Sequence, residues 1–227
     1  MSTAVTHDYI PGFYIGDRPK VVTSRFEHED SYTLERYLAT DGYKGLRSAL
    51  ARPANEIHDE VKNATVLGRG GAGFPTWMKW SFTKQVETKD DKYFVCNADE
   101  GDPGAYMDRS TLEGDPHSVL EGMIIGAYTI QATSGVIYCR AEYPLAIKRL
   151  NIAIEQAQKK GYLGKNIFGV KGFDFDIYIK EGAGAFVCGE ETALIHSLEG
   201  NRGEPTKKPP FPSVSPGFAY LLSVSPP

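Results

Sequence analysis

Two glycine-dense segments contain residues whose types and spacing could do chemistry. The first, residues 68–76, reads Gly-Arg-Gly-Gly-Ala-Gly-Phe-Pro-Thr, and the second spans residues 182–189. Glycines let backbone N–H groups approach a ligand closely, so such loops can cradle a phosphate or an aromatic ring system. Arg69 and Lys79 can add positive charge beside that phosphate. The first segment is therefore a candidate binding loop.

The first segment satisfies the pattern G-x-G-x-x-G through Gly68, Gly70 and Gly73. Alone this is a weak signal, because the dinucleotide-binding fingerprint also requires a strand before the glycines. Residues 56–64 predict a helix instead, which disfavours an ordinary dinucleotide fold. A flexible linker is the alternative, but the bulky residues Phe-Pro and Trp77 argue against it.

Acidic residues form a third candidate feature. Residues 97–100 read Asn-Ala-Asp-Glu, and Asp102 and Asp108 follow. A solvated loop of turn residues is one interpretation, and a metal site is weakened because only His117 accompanies the acids. A third interpretation is that these side chains form hydrogen bonds to sugar or ribityl hydroxyls and to the edge of a flavin ring. Residues 189–192, Gly-Glu-Glu-Thr, begin a predicted helix, where acids are commonplace because of the macrodipole.

The elements around these features predict an α/β fold. Apolar runs at 92–97, 135–139 and 173–179 predict strands, and helices are expected at 119–130 and from Pro144 to about residue 160. Strands separated by such helices pair in parallel. We therefore expect a Rossmann-like layered sheet of mostly parallel strands, with flanking helices and an N-terminal helical segment. Ligands bind such sheets at the carboxyl ends of strands, where residues 97–101 and 181–184 fall.

The composition, the periodicity and the turn residues of the chain predict its domain organisation. The chain has 227 residues, of which 41% are hydrophobic and 24% charged, as in ordinary globular domains. Periodicity and turn residues divide it into four parts. They are an N-terminal arm (1–31), a helical lead-in (32–64), an α/β ligand-binding domain (65–212) and an irregular, proline- and serine-rich tail (213–227).

Charge, hydropathy and cysteines exclude several classes of function. The net charge is -4 with scattered basic residues, so neither nucleic acid nor an anionic membrane is an expected partner. No apolar run approaches the roughly 20 residues that cross a bilayer, and no signal-peptide layout opens the chain. A cytoplasmic location is expected. The three cysteines, Cys96, Cys139 and Cys188, form no C-x-x-C motif, so no zinc or cluster site is expected. Burial is the preferred interpretation for each.

Four motifs in one order resemble a known family. These motifs are similar to those of the NADH-binding flavoprotein subunit of respiratory complex I. In this chain they are residues 68–76 with Lys79-Trp80, residues 97–100, residues 182–192 and residues 208–212 (Lys-Pro-Pro-Phe-Pro). The diaphorase subunits of NAD(P)-linked hydrogenases and formate dehydrogenases share this module. Residues 101–110 are more similar to the hydrogenase branch.

The resemblance implies an FMN site with NADH stacked over it, and no catalytic side chain, because the flavin does the chemistry. The implied FMN-binding residues are Gly68, Arg69, Gly70, Gly71, Gly73, Lys79, Asn97, Asp99, Glu100, Phe186, Gly189, Glu190 and Glu191. The implied NADH-binding residues are Phe74, Phe82 and Phe211 at the adenine, with Asp102, Glu191 and Lys208 at polar groups.

The resemblance also implies a reaction and partners. Hydride would pass from NADH to FMN, and single electrons would then pass to iron–sulfur partner subunits, including a thioredoxin-like [2Fe–2S] subunit. Such subunits are cytoplasmic or peripheral to the inner membrane through their partners. The full-length family holds a [4Fe–4S] cluster, for which this chain has no ligands. We therefore expect the N-terminal FMN domain only, truncated.

Two rival functions follow from the same residues. One is a non-catalytic remnant that keeps the fold but binds FMN weakly or not at all, and the other is a stand-alone dehydrogenase that uses only the first glycine segment. Five positions depart from the family pattern: Asp102 replaces glutamate, Phe186 replaces tyrosine, Trp77 replaces glycine, and the pair Val66-Leu67 replaces Leu-Arg. Trp77 could crowd the flavin or reshape the turn, and Asp102 could alter the choice between NADH and NADPH.

Overall fold

A parallel sheet forms the centre of the computed structural model, which describes residues 20–87, 91–209, 211–212 and, as backbone only, 221–224. In chain order the strands are β1 (Tyr93–Ala98), β2 (Ser134–Arg140), β3 (Asp176–Gly182) and β4 (Leu221–Val224). They lie in the order β3-β2-β1-β4, and every neighbouring pair is parallel. The predicted α/β class is thereby confirmed.

Eight α-helices accompany the strands in the described residues. They are α1 (Leu34–Ala39), α2 (Lys44–Leu50), α3 (Ala54–Asn63), α4 (Thr76–Gln85), α5 (Met107–Gly114), α6 (Pro116–Ile130), α7 (Pro144–Lys159) and α8 (Glu191–Leu198). Short 3₁₀ helices span Ile167–Gly169 and Phe186–Gly189. None of these helices combines the length and the apolar character that crossing a membrane requires.

Apolar side chains fill both faces of the sheet. On one face α6 and α7 pack against β1–β3, and the alanine and leucine stripe predicted for α7 is fully buried. Gly126 of α6 permits close approach, because a Cβ there would lie 2.3 Å from the Phe94 ring. On the other face Val95, Val136 and Tyr138 pack against α8. The sheet is therefore covered on both sides, as parallel sheets require.

The N-terminal helices are fastened to α6 by a buried carboxylate. Glu121 accepts hydrogen bonds from the backbone N–H groups of Tyr43 (2.8 Å) and Leu46 (2.7 Å), at the start of α2, and from the Tyr37 hydroxyl. These donors would otherwise be unpaired at a helix N-terminus. α1, α2 and α3 lie within residues 32–64, where helices were expected; α2 and α3 pack against α6, and α3 also packs against α4.

The structure departs from the sequence-based expectations in four places. Within the predicted arm, residues 20–31 form turns, and Arg25 pairs with Asp115 at 2.8 Å; residues 1–19 lie outside the described residues. β3 begins three residues later than predicted, because Phe175 pairs with Gly164 and the pairing with β2 starts only at Asp176. α5 was not predicted. The tail, predicted to be irregular, contains β4, while 213–220 and 225–227 are not described.

Candidate functional site

The acidic turn after β1 meets the second glycine segment at the carboxyl end of the sheet. The Asn97 side-chain amide donates to the carbonyl of Gly189 at 2.9 Å, and its oxygen accepts from the N–H of Asp99 at 3.2 Å. A Cβ on Gly189 would lie 3.2 Å from the Asp99 carbonyl oxygen. This contact is tight enough to favour glycine at position 189. Two of the three predicted segments therefore share one crevice.

Asp99 has the least satisfied side chain in this crevice. It is 6% exposed, and neither carboxylate oxygen has a hydrogen-bond partner within the described part of the chain. Burial raises its pKa to about 6, although the charge of Arg140 acts in the opposite direction. A buried carboxylate without donors is unstable relative to one that receives hydrogen bonds. Both oxygens of Asp99 thus lack the hydrogen bonds that a buried carboxylate needs, within the described part of the chain.

Glu100, in contrast, is fully engaged inside the protein. Its carboxylate accepts from the backbone N–H groups of Met107 (2.6 Å), Asp108 (3.2 Å) and Arg109 (3.1 Å), so it caps the N-terminus of α5. The Tyr143 hydroxyl lies 3.4 Å from the same carboxylate. Glu100 was predicted to contact FMN. Its observed side-chain partners give it a structural role, and the cofactor contact stays a prediction.

Asp108 lies beneath the acidic turn, in the first turn of α5. It is buried, and its Oδ1 atom has no partner among the described residues. Burial, and then the neighbouring charge of Glu100, raise its pKa to about 7. Burial therefore raises the pKa of one carboxyl group in the acidic turn, Asp99, and of one in α5, Asp108.

Glu190 and Glu191 do different work at the start of α8. Glu190 is the N-cap residue, and its carboxylate accepts from the N–H groups of Thr192 (2.8 Å) and Ala193 (3.0 Å). Burial alone would raise the pKa of Glu190, but the hydrogen bonds from Thr192 and Lys208 bring it below its ordinary value. Glu190 is thus held as an anion by its helix.

Two lysines converge on Glu191 from different parts of the chain. Lys79 of α4 lies 3.3 Å from its carboxylate, and Lys208 lies 2.6 Å from it and 2.9 Å from Glu190. Burial opposes ionisation of Glu191, yet the two ammonium groups lower its pKa overall. This charged cluster ties α4, which follows the first glycine loop, to α8 and to the segment before Pro209.

The first glycine loop is closed at its base and open at its tip. Gly68 donates to the carbonyl of Phe74 (2.9 Å), and Thr76 donates to that of Val66 (3.0 Å). Gly71 and Gly73 have φ values of +94° and +61°, which side chains rarely adopt. Residues 65–73, which include Arg69 and Gly70, are exposed. The loop reaches the rest of the site through Lys79.

Aromatic side chains line the approach to this loop. The rings of Phe74 and Phe82 are partly exposed, with centroids 6.5 Å apart. Trp77 packs away from them, against α3: its carbonyl lies 3.0 Å from His58 Nε2, and the Lys62 ammonium lies 4.9 Å from its ring. The departure at position 77 therefore braces α4 against α3.

Three predicted site residues stand apart from these contacts. Asp102 is exposed, Phe186 is 71% exposed and Phe211 is 52% exposed. Phe186 adjoins the acidic turn, because a Cβ on Gly101 would lie 2.6 Å from its ring. Asp102 and Phe211 have no such anchor in the described contacts, and their roles stay predictions.

Arg140 was missed in the sequence, although it adjoins both loops. It is the last residue of β2, and it donates to the carbonyl oxygens of Glu100 (2.7 Å) and Gly184 (3.4 Å). A signal existed, since a polar residue directly after a buried strand falls at the edge where ligands bind. Thr192 was also missed; its hydroxyl accepts from the N–H of Thr206 at 2.8 Å and holds the following segment against α8.

The cysteines are buried, as predicted. Cys96 and Cys139 lie inside the sheet layers. Cys188 adjoins the site, is 6% exposed and is covered by Gly203, where a Cβ would lie 2.6 Å from its sulfur. Within the described residues no group of three histidine, cysteine or acidic side chains could hold a metal ion.

A separate cleft of about 530 Å³ lies at the amino ends of β1 and β2. Its lining includes Lys84, Lys92 and Thr133 and none of the predicted site residues. Ligands of parallel sheets bind at the opposite end, so the crevice at Asp99 is the stronger candidate.

The crevice and the sheet together define a parallel α/β protein of the class that binds nucleotide-type ligands beyond the carboxyl ends of its strands. Sequence comparison agrees with this class. The chain belongs to the Nuo51 FMN-binding domain family, whose profile matches residues 61–219.

Relatives in two kinds of assembly resemble the chain. It is 57% identical over 196 residues to the NADP-reducing hydrogenase subunit HndC of Solidesulfovibrio fructosivorans, covering 86% of this chain and 39% of that protein. It is 49% identical over 203 residues to an NADH-quinone oxidoreductase subunit of Aquifex aeolicus (strain VF5), covering 89% and 47%. The chain thus spans less than half the length of these relatives.

A solved structure shares the fold. An NAD+-reducing [NiFe]-hydrogenase in the H2-reduced state superposes with a TM-score of 0.68 at 35% identity, covering 78% of this chain and 30% of that one. The resemblance noted in the sequence motifs is therefore confirmed at the level of the family.

Proposed function

We propose that this chain is the FMN- and NADH-binding part of an NADH-oxidising flavoprotein subunit. The observation that carries the proposal is Asp99, a buried carboxylate without donors among the described residues, in the crevice beside Gly189. A ribityl chain supplies the hydroxyl donors that this carboxylate lacks. The family match to an FMN-binding domain supports the same ligand.

The residues of the crevice fit FMN by their chemistry. Asn97 and Asp99 would bind ribityl hydroxyls, and the glycine at position 189 allows its backbone to lie close to Asp99. The exposed glycines of the first loop, with Arg69 and Lys79, would bind the phosphate. Glu100 and Glu190 would act mainly by fixing the backbone of both loops, because their carboxylates already cap α5 and α8. The remaining predicted contacts, Gly68, Gly70, Gly71, Gly73, Phe186 and Glu191, belong to this proposal.

NADH would lie over the flavin at the open side of the crevice. Phe74 and Phe82 present adjacent ring faces for the adenine, with Phe211 as a third. Lys208 and Glu191 would orient the polar groups of the dinucleotide, and Asp102 would face its ribose. When bound, FMN supplies the chemistry, which is acceptance of a hydride and release of single electrons. The protein aligns the two ligands and excludes water.

The destination of the electrons is part of the proposal. The relatives are named as subunits of a quinone oxidoreductase and of hydrogenases. Iron–sulfur partner subunits, including a thioredoxin-like [2Fe–2S] protein, would accept the electrons in the cytoplasm or at the inner membrane surface. The [4Fe–4S] cluster expected for the full-length family would not be held by this chain's three buried cysteines.

Flavin binding by the purified chain tests the proposal. Titration with FMN should quench flavin fluorescence and raise the melting temperature, and NADH should bleach the bound flavin under anaerobic conditions. Asp99→Asn should weaken binding, whereas Asp108→Asn, which lies outside the crevice lining, should not. A chain that neither quenches nor is stabilised by FMN would contradict the proposal and favour a non-catalytic remnant.

A further inference from the structure

Arg140 makes contacts that join two loops distant in sequence. Its side chain is 17% exposed. Nη1 donates to the Glu100 carbonyl at 2.7 Å, in the acidic turn, and Nη2 donates to the Gly184 carbonyl at 3.4 Å, in the second glycine segment. One planar guanidinium thus contacts the backbone on both sides of the crevice. Arginine suits this work because its donors have a fixed geometry.

A carboxylate fixes the orientation of this guanidinium. Glu142 accepts from Arg140 Nε at 3.2 Å and from Nη2 at 3.3 Å, and this pairing lowers the pKa of Glu142. The approach of Glu142 also depends on Gly184, whose φ is +81° and where a Cβ would lie 2.1 Å from Glu142 Oε1. The contacts of Arg140, Glu142 and Gly184 therefore depend on one another.

A second donor holds the same carbonyl of the acidic turn. The Tyr143 hydroxyl donates to the Glu100 oxygen at 3.1 Å. Since Glu100 also caps α5 through its carboxylate, the peptide that follows Glu100 is held from several directions. Among these contacts, that of Arg140 alone extends from this peptide to Gly184. Asn97 joins the same two segments at a different point, Gly189, so loss of Arg140 would remove one of two side-chain hydrogen-bond links that the described residues provide between them.

We propose that Arg140 is a positioning residue for the flavin site, which sets the separation between the acidic turn and the second glycine segment. It would fix the Glu100 carbonyl relative to Gly184 before any ligand arrives, and so reduce the ordering cost of binding. The ligand named here rests on the proposed function, but the fastening of the two loops is a property of the chain itself.

Hydrogen exchange on the ligand-free chain tests whether Arg140 holds the two loops together, and FMN titration tests whether this contact raises FMN affinity. Arg140→Gln should speed amide exchange in residues 98–102 and 182–187 together and weaken FMN binding about 10- to 100-fold, as expected for loss of charge-assisted hydrogen bonds. Arg140→Lys, which keeps the charge but has one donor nitrogen in place of three, should recover part of both effects. The visible circular dichroism of bound FMN should change in the glutamine variant and return in the lysine variant.

Arg149→Gln is the matched control, because Arg149 also donates to a backbone carbonyl, that of Glu113 at 2.6 Å, but outside the crevice. It should leave both loops and FMN affinity unchanged. Equal effects of the two substitutions, or faster exchange in one loop only, would overturn the positioning role. Failure of the unmodified chain to bind FMN would sink the proposed function instead, while the exchange data would still decide the role of Arg140.

Discussion

The two sides of the candidate site are built in opposite ways. The acid-turn side, residues 97–101 and 186–193, is held by two capping carboxylates, the Asn97 amide and Arg140. The glycine-loop side, residues 66–82, is closed by two backbone hydrogen bonds at its base and is exposed above them. The first side is ordered before a ligand binds, whereas the tip of the second has few contacts to hold it.

The difference in order between the two sides indicates separate roles in ligand binding. A polar side that is fixed in advance loses little conformational entropy on binding, so its hydrogen bonds contribute fully to affinity. A glycine loop with exposed backbone opens at small cost, as binding loops generally do. The acid-turn side should therefore contribute most of the FMN affinity beyond the phosphate contact, and the aromatic rings of the glycine-loop side should govern how NADH stacks.

The largest effect should come from Asp99. Asp99→Asn keeps the shape of the side chain but removes the charge, so FMN should bind about 10- to 100-fold more weakly, the range for a hydrogen bond to a charged group. Isothermal titration at pH 8, where the native carboxyl is ionised, measures this directly. Unchanged affinity would remove the acid-turn side from flavin recognition.

A smaller effect, on stability and of the opposite sign, should come from Asp108. Because its folded pKa of about 7 exceeds the ordinary value of 3.8, the folded state binds more protons than the unfolded state between these pH values. Stability is therefore lost as the pH rises from about 4 to 7. Asp108→Asn should raise the unfolding free energy by on the order of 1 kcal/mol at pH 8 and have no effect below pH 4. Denaturant unfolding at both pH values checks this, and a gain at low pH would contradict it.

The smallest effect should come from the glycine-loop side. Phe82→Leu removes one face of the aromatic pair, so the KM for NADH should rise about 2- to 10-fold, given the usual energy of aromatic stacking, while FMN affinity stays unchanged. Steady-state kinetics with an artificial acceptor measures it, and Tyr178→Leu, an exposed ring on β3, serves as the control. A matching loss of FMN affinity would show that the two sides are not independent.

Regular features of the fold were predictable from the sequence, and long-range ones were not. The buried stripe of α7 and the strand positions follow from periodicity, and the carboxyl-end rule brought residues 97–100 and 182–189 to one edge. α5 was missed because its cap, Glu100, lies seven residues before Met107 and reaches it only through the fold. The short strand β4 was missed because four residues among prolines and serines carry little pattern.

The roles of individual acids were the hardest to predict. Glu100 and Glu190 match motif positions, yet each carboxylate is engaged by backbone N–H groups, which only the local dihedral angles determine. Asp99 looks the same in sequence and is left without donors in the described part of the chain. Composition cannot separate an acid that stabilises a helix from one that awaits a ligand, since both occur in the same turn.

The thiol of Cys188, which lies beneath Gly203, can report on motion of the chain next to the crevice. Cys188 is sealed by the segment that Thr206 and Lys208 fasten to α8, whereas the other two cysteines lie inside the sheet layers. A maleimide reagent should therefore label Cys188 at the rate at which this segment lifts, and the remaining thiols should react only when the whole domain unfolds. The labelling kinetics of Cys188 would therefore measure how fast the segment from Gly203 to Lys208 separates from α8.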